Sequence, residues 1–182
     1  MRAISLWQPW ATAIAIGSKR IETRHWATDY TGPIAIHAAK RLNKDELIHF
    51  GCCWNWCGAL AGIGWQMGLR KQLWELLPFG AIVATATLVD CKPTGSFTQA
   101  ELYAPRLPDG ATSTSLQWTE RQMGNFELGR YGWVLENVVP TRWPIPFKGR
   151  QGFFNVPDDL FPLPARPIAV EEDGGSYGAV NG

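Results

Sequence analysis

Four ionisable side chains crowd the short segment Gly17-Ser18-Lys19-Arg20-Ile21-Glu22-Thr23-Arg24, and three of them, Lys19, Glu22 and Arg24, have a spacing that could do chemistry. Read as a strand, the segment projects Glu22 and Arg24 from one face, two residues apart. At that spacing the Arg24 guanidinium can hold the Glu22 carboxylate with its planar fork. Lys19 follows Gly17, a residue suited to stopping a helix, and so stands at the mouth of the strand. Two chemistries fit this set. Lys19 and Arg24 can contact a phosphate or base edge while Glu22 orients them. Alternatively, Lys19 can serve as a base or nucleophile activator with Glu22 as a proton shuttle. The plain reading is a surface strand whose charges are solvated.

Other side chains could join such a site. Gln8 precedes a helix start, where free N–H groups suit a phosphate or base edge; simple helix capping is the competing role. His37 shares its strand face with Ala35 and Ala39, which leaves room for a ligand, and a packed core histidine fits equally well. Glu136 shares a face with Val134 and Val138 and is expected to be a partly buried carboxylate paired with an arginine. Trp7, Trp10 and Trp26 could stack on a base. With ten tryptophans in 182 residues, most must fill the core, and Trp26 is the one chosen as a ligand contact.

Short strands and helices must position these groups. Ala3–Leu6 reads as a strand, and Pro9 fits the first turn of a helix. In that helix Trp10, Ala13, Ile14 and Gly17 recur at helical spacing. Lys19–Arg24 and Pro33–Ala39 read as strands, with Thr31-Gly32 turning between them. Asn43 caps a predicted helix from Lys44. Gly80–Asp90 alternates and is the clearest strand. Pro93–Asn125 is expected as loop plus a short helix. Tyr131–Val139 and Gln151–Val156 are further strands, separated by an extended path that Pro140, Pro144 and Pro146 impose. About six short strands with two to four flanking helices make an α+β, barrel-like domain over residues 1–157. Insertions fall near 52–78 and 93–128. Residues 158–182, rich in Pro, Gly and acid, are expected to form a flexible tail.

Composition bounds the function. The net charge is +1, which excludes a protein that coats DNA electrostatically. Residues 1–157 carry 16 basic against 11 acidic groups, a mild excess that permits a few phosphate contacts. Cys52, Cys53 and Cys57, with His49 nearby, lack the paired spacing of a zinc site. They and Cys91 read as reduced thiols of a cytoplasmic protein, with no metal or cofactor expected. No signal peptide is apparent, and the apolar stretch 52–67 is too short and Gly-broken to span a membrane.

The segment Gly17–Arg24 matches the G-x-K-x-x-E-x-R signature of ASCH (activating signal cointegrator homology) domains. Ser5-Leu6-Trp7-Gln8-Pro9-Trp10-Ala11 resembles the family's S-L-x-Q-P-W-A opening. Gly32–Lys40 resembles its next strand, and the blocks at 80–90, 131–137 and 144–152 resemble later strands more loosely. The resemblance spans about residues 4–156. It implies a fold related to the PUA (pseudouridine synthase and archaeosine transglycosylase) RNA-binding barrel, with a cleft where the signature strand meets the first helix. Some relatives deacylate modified cytidines with a signature Lys, a Thr and a Glu; others are reported as nucleic-acid binders or nucleases. Here Glu22 stands where the deacylating members carry Thr. Thr23 is adjacent but faces the other way, and Glu101 and Glu120 both lie where the separate Glu belongs. The resemblance therefore favours binding of RNA, single-stranded DNA or a modified nucleoside at Gln8, Lys19, Glu22, Arg24, Trp26 and His37. The alternatives are an amidohydrolase acting on N4-acylated cytidine-type nucleosides through Lys19 and Glu22, and a protein-interaction module presenting the Trp-rich insertion.

Overall fold

A computed structural model describes residues 1–41, 77–104 and 119–161. Six strands form one sheet: β1 (Arg2–Leu6), β2 (Ile21–Arg24), β3 (Gly32–Ala38), β4 (Ala81–Pro93), β5 (Tyr131–Pro146) and β6 (Phe153–Asn155). Two helices accompany them, α1 (Trp10–Ala15) and α2 (Gln99–Tyr103). The strand order is β2-β5-β4-β3-β1-β6. β1 and β3 run parallel, and every other neighbouring pair is antiparallel. The α+β class expected from the sequence is the one observed.

The sheet curls because its central strands are long and irregular. β4 and β5 shift register at three places, and each bulge adds local twist. Alternation then sorts the side chains onto two faces. Ile4, Leu6, Ile34, Ile36, Ala86, Leu88, Trp133 and Leu135 pack on the face that holds Ala11, Ile14 and Ala15 of α1. Ala3, Ala35, Ile82, Phe154 and Val156 form a smaller core apart from it.

Curling brings the two edge strands, β2 and β6, together without a backbone ladder between them. Aromatic rings bridge the gap instead. Trp26, just past β2, meets Trp133 of β5 edge-on at 4.6 Å and Phe153 of β6 at 5.4 Å. Trp133 stacks on Phe153 at 5.1 Å. Beside this seam Arg24 Nη2 donates to the Ser5 carbonyl at 2.9 Å, so a β2 side chain also reaches β1.

Four sequence expectations change. The Lys19–Arg24 strand starts only at Ile21, because the Lys19 N–H bonds Ala13 O and the Arg20 N–H bonds the Glu120 carboxylate. β5 does not stop at Val139 but pairs with β4 through Pro146. Residues 141–144 bulge between the pairs Ala84–Pro140 and Ile82–Ile145; Pro144 lies in the bulge without a ladder partner, and Pro140 and Pro146 are exposed beside it. Asn137, with φ 49°, breaks the alternation and leaves Glu136 exposed rather than buried. Asp158–Leu160 forms a 3-10 turn, Asp158 pairs with the chain's amino group, and Leu160 and Phe161 pack on the smaller core. The helix expected from Lys44, most of the Trp-rich insertion and residues 162–182 lie outside the described residues. Among the described residues no helix is long and apolar enough to cross a membrane.

Trp133 is fully buried at the centre of the seam, whereas Trp143 is 72% exposed. Urea unfolding is expected to show a loss of about 3–5 kcal/mol for Trp133→Ala. Trp143→Ala is expected to stay within about 0.5 kcal/mol of the parent. Equal losses for the two variants would disprove the closure described here.

Candidate functional site

The site begins where α1 stops. Gly17 takes φ 79°, a left-handed value that glycine adopts without strain, and the chain turns back. The Lys19 N–H then bonds Ala13 O at 3.1 Å, which draws the lysine inward beside the helix. Its side chain is 0% exposed. Nζ donates to Ile21 O and lies 3.9 Å from Glu22 Oε2. Glu22 Oε1 is 3.2 Å from Arg24 Nε, so the two residues share a face as their spacing requires. That contact is an ion pair rather than an aligned hydrogen bond, since the buried Nε–H has no hydrogen-bond partner. The result is a chain of charge, Lys19–Glu22–Arg24, ending on Ser5 O. Arg24 is its most open member, with 22% of its side chain exposed.

A second segment closes over β2 from a hundred residues away. The fully buried Glu120 accepts the Arg20 N–H at 2.5 Å through Oε1 and the Ile21 N–H at 3.2 Å through Oε2. Its carboxylate thus serves as hydrogen-bond partner to the start of β2. Met123 O accepts the Trp10 indole N–H at 3.0 Å, and the Asn125 N–H donates to Thr23 Oγ1 at 3.1 Å. Gly124 fits between because it lacks a side chain. A Cβ there would stand 2.7 Å from Phe126, 3.2 Å from Thr23 Cγ2 and 3.4 Å from Lys19 Nζ. Lys19 and Thr23 therefore flank Gly124, and Glu120 anchors the start of the strand that carries Glu22 and Thr23.

Glu101, the other acid the sequence left open, lies elsewhere. It caps α2 and pairs with Lys92 at 2.5 Å, and these contacts hold its carboxyl at a pKa of about 2. Glu120 had no local signature beyond the Thr119–Gln122 capping pattern that marks its turn.

Most of the remaining candidates engage neighbours within the fold. Gln8 Oε1 accepts the Thr12 N–H at 3.1 Å and its Nε2 donates to Pro78 O at 2.7 Å, so both ends of the amide are engaged. His37 is buried, 3.0 Å from Ser5 Oγ through Nδ1 and 3.0 Å from Phe147 O through Nε2. A carbonyl can only accept, so Nε2 carries the proton; in the neutral ring that burial favours, Nδ1 accepts from the hydroxyl. Phe154 and the backbone at Gly149 take up the space beside it. Trp26 is half-buried in the aromatic seam. Trp7 is 45% exposed, and Trp10 is tied to Met123. Cys91 is free and half-buried, and burial pushes its thiol up. Among the described residues no three His, Cys, Asp or Glu side chains gather as a metal site would need.

Two outcomes follow from this geometry. Removing either Lys19 or Glu22 strands a buried charge, so Lys19→Met and Glu22→Gln are each expected to destabilise by about 3–5 kcal/mol. The double variant should be milder than the sum by about 0.5–3 kcal/mol. Strict additivity in urea unfolding would show the two groups uncoupled. For His37, desolvation lowers the pKa in the folded chain, and the bond to Phe147 O opposes this less strongly. The unfolded state then binds the proton more readily, so stability should fall as pH drops below about 6.5 toward the folded pKa. Chemical unfolding from pH 7.5 to 5 should show this slope, and His37→Gln should flatten it.

The arrangement sits within a recognisable stretch of chain. Residues 4–138 match the ASCH domain. No curated protein matches the sequence. Among solved structures, the chain is similar to a tyrosine-to-phenylalanine mutant of ZmASCH from Zymomonas mobilis. The two share 16% identity over 87% of this chain and 91% of that one, with a TM-score of 0.45. A second similar structure is ASCH from Zymomonas mobilis, at 13% identity over 87% and 88% of the two chains, TM-score 0.42. The matched region runs from Ile4 in β1, through the Lys19–Arg24 charges, to Val138 in β5, and on that match this chain belongs to the ASCH domain family.

Proposed function

We propose that this ASCH domain binds a nucleotide unit of RNA or single-stranded DNA, or a modified nucleoside, at the Lys19–Glu22–Arg24 chain. One observation carries the reading: a lysine with no solvent exposure is held against a carboxylate that an arginine also engages. Burying three charges is costly, and a hydrophobic core of similar volume would be at least as stable, so packing alone does not account for them. The three carry a net single positive charge, which suits a phosphate or an electron-rich base edge. Arg24 is the member a ligand meets first, its fork placed by Glu22 and Ser5 O. Lys19 stands behind it, fully buried beside Gly124, so a direct ligand contact by Lys19 requires that turn to open. An arginine fork reads base edges and phosphates that a modest net charge could not select on its own.

A second reading is favoured by Lys19 and Thr23 flanking Gly124, with Glu120 bonded to the start of the same strand. These are the residue types that deacylating ASCH relatives use. In an N-acylnucleoside hydrolase, Lys19 would take a proton from water as it attacks the acyl carbonyl. The C–N bond would break, the proton would pass to the leaving amine, and a carboxylic acid and free nucleoside would result. Glu22 in the Thr position, and Thr23 already engaged with the Asn125 N–H, weigh against this chemistry.

Lys19→Arg separates the two. As a binding contact, Lys19 is worth roughly 1.5–3 kcal/mol, or about 10- to 150-fold in affinity, and Arg should keep part of it because the charge remains. As a base, Lys19 must change protonation state, which Arg does not do at ordinary pH. The measurements are affinity for oligonucleotides and mononucleotides, and carboxylic acid release from a panel of N-acylated nucleosides. Binding without turnover by the parent, with partial retention in Lys19→Arg, is the expected result. Turnover by the parent that vanishes in Lys19→Arg while binding persists would overturn it in favour of the hydrolase.

A further inference from the structure

Four backbone segments are laced together where β1 and β3 end and β4 begins. Leu6 O accepts the Ala39 N–H at 2.8 Å, Ala38 O accepts the Gly80 N–H at 2.8 Å, and Gly80 O accepts the Phe147 N–H at 3.0 Å. Gln8 adds its bond to Pro78 O, and Gly149 lies against the Ser5 and His37 side chains. The side chains on this rim are of one kind. Lys40, Arg41, Lys148 and Arg150 are exposed, and Trp7 is 45% exposed beside them. The bulge of β5 borders the same edge, since Thr141 Oγ1 bonds Ile82 O at 3.4 Å, and it carries exposed Arg142 and Trp143.

No acidic residue occurs anywhere from Val138 to Asn155, nor in the rim segments 6–8, 38–41 and 78–80. No ion pair joins any of these cations to a carboxylate among the described residues. Among the described residues, three acids lie at the other end of the sheet. Asp29 precedes β3, Asp90 lies beyond the Gly32–Leu88 pair, and Asp158 sits at the amino terminus. The sequence placed the basic bias near the N-terminus; the fold brings Lys40 and Arg41 to Lys148 and Arg150 across more than a hundred residues.

We propose that this rim is a track for a single-stranded polynucleotide, cations on the phosphates and exposed Trp7 and Trp143 on the bases. The inference rests on the reading that the domain binds nucleic acid and extends it from one nucleotide to a strand. Unpaired cations interleaved with exposed indoles are the chemistry of sequence-tolerant single-strand binding. A duplex presents phosphates but no free base face for the indoles. The track adjoins the signature, because Arg24 donates to Ser5 O and the Ser5 side chain touches Gly149. A nucleotide held at Arg24 therefore continues onto the rim.

The test titrates fluorescently labelled oligo-dT and oligo-U of about 12 nucleotides, the matching mononucleotides, and phosphatidylserine vesicles over a range of salt. Each phosphate contact to a single strand contributes about 0.7 to the slope of log affinity against log salt. Four rim cations give a slope of magnitude about 3. The pair Lys148→Glu and Arg150→Glu should lower oligonucleotide affinity by at least about tenfold and reduce the slope by about 1.4. Lys40→Glu with Arg41→Glu should do the same, and guards against misfolding of either pair. Trp143→Ala should cost about 5- to 150-fold while leaving the slope unchanged. Folded rim variants that bind oligonucleotides like the parent would overturn the track. So would mononucleotides binding as tightly as oligonucleotides, although the Arg24 site would then stand. Oligonucleotide binding that depends on the rim but not on Lys19 or Arg24 would uphold the track and sink the signature site. Rim-dependent capture by vesicles, without oligonucleotide binding, would assign the surface to anionic lipid instead.

Discussion

Closure of the curled sheet is the constraint from which the rest of this structure descends. A six-stranded sheet with free edges at β2 and β6 leaves two rows of unpaired backbone groups and an open flank on its core. Here the edges meet through rings, Trp26 and Trp133 against Phe153, and through the reach of Arg24 to Ser5 O. Because Arg24 performs that closure, its position is fixed from both sides. Glu22 is placed by Arg24, and Lys19 by Glu22 and the end of α1. The residues with chemistry to offer are thus held by the contacts that complete the fold. This gives a precise site at a cost: a change at Arg24 disturbs the seam as well as any ligand.

Much of this was legible locally. The alternation at 80–90 gave β4, the helical spacing from Trp10 to Gly17 gave α1, and the two-residue spacing of Glu22 and Arg24 gave their shared face. Each rests on interactions within a few residues. What escaped was set by distant partners. Lys19 and Arg20 have strand-like neighbours, yet their N–H groups go to Ala13 O and to Glu120, and no local pattern announces an acceptor a hundred residues on. His37 was open between ligand contact and core because the groups that engage it, Phe147 O and Gly149, come from the far end of the chain. The extended path expected from Pro140, Pro144 and Pro146 is itself part of β5; a bulge against β4 holds Pro144, and only the pairing register reveals it.

Charge shows the same division between sequence and fold. A net charge near neutrality describes the whole chain and says little about where a field is strong. Folding separates Asp29 and Asp90 at one end of β3 and β4 from Lys40 and Arg41 at the other. Near Cys91 the two aspartates act together, adding to the rise that burial gives its thiol. Acid and base therefore flank β3 at opposite ends.

The place of β6 in the sheet bears on how the chain is made. β6 is the last strand in sequence, yet it pairs with β1, the first, and supplies Phe153 to the seam. A ribosome adding about 5–20 residues per second needs on the order of ten seconds to pass from Arg24 to Phe153. Throughout that interval β1 lacks its outer partner and Trp26 its cover, and Trp133 joins them only near its end. Nascent chains would thus expose an apolar strand edge until the final strand leaves the exit tunnel. Premature stops before Phe153 would yield sticky, protease-sensitive fragments rather than a smaller working domain. Arrival of β6, not local folding, sets when the β1 edge is covered.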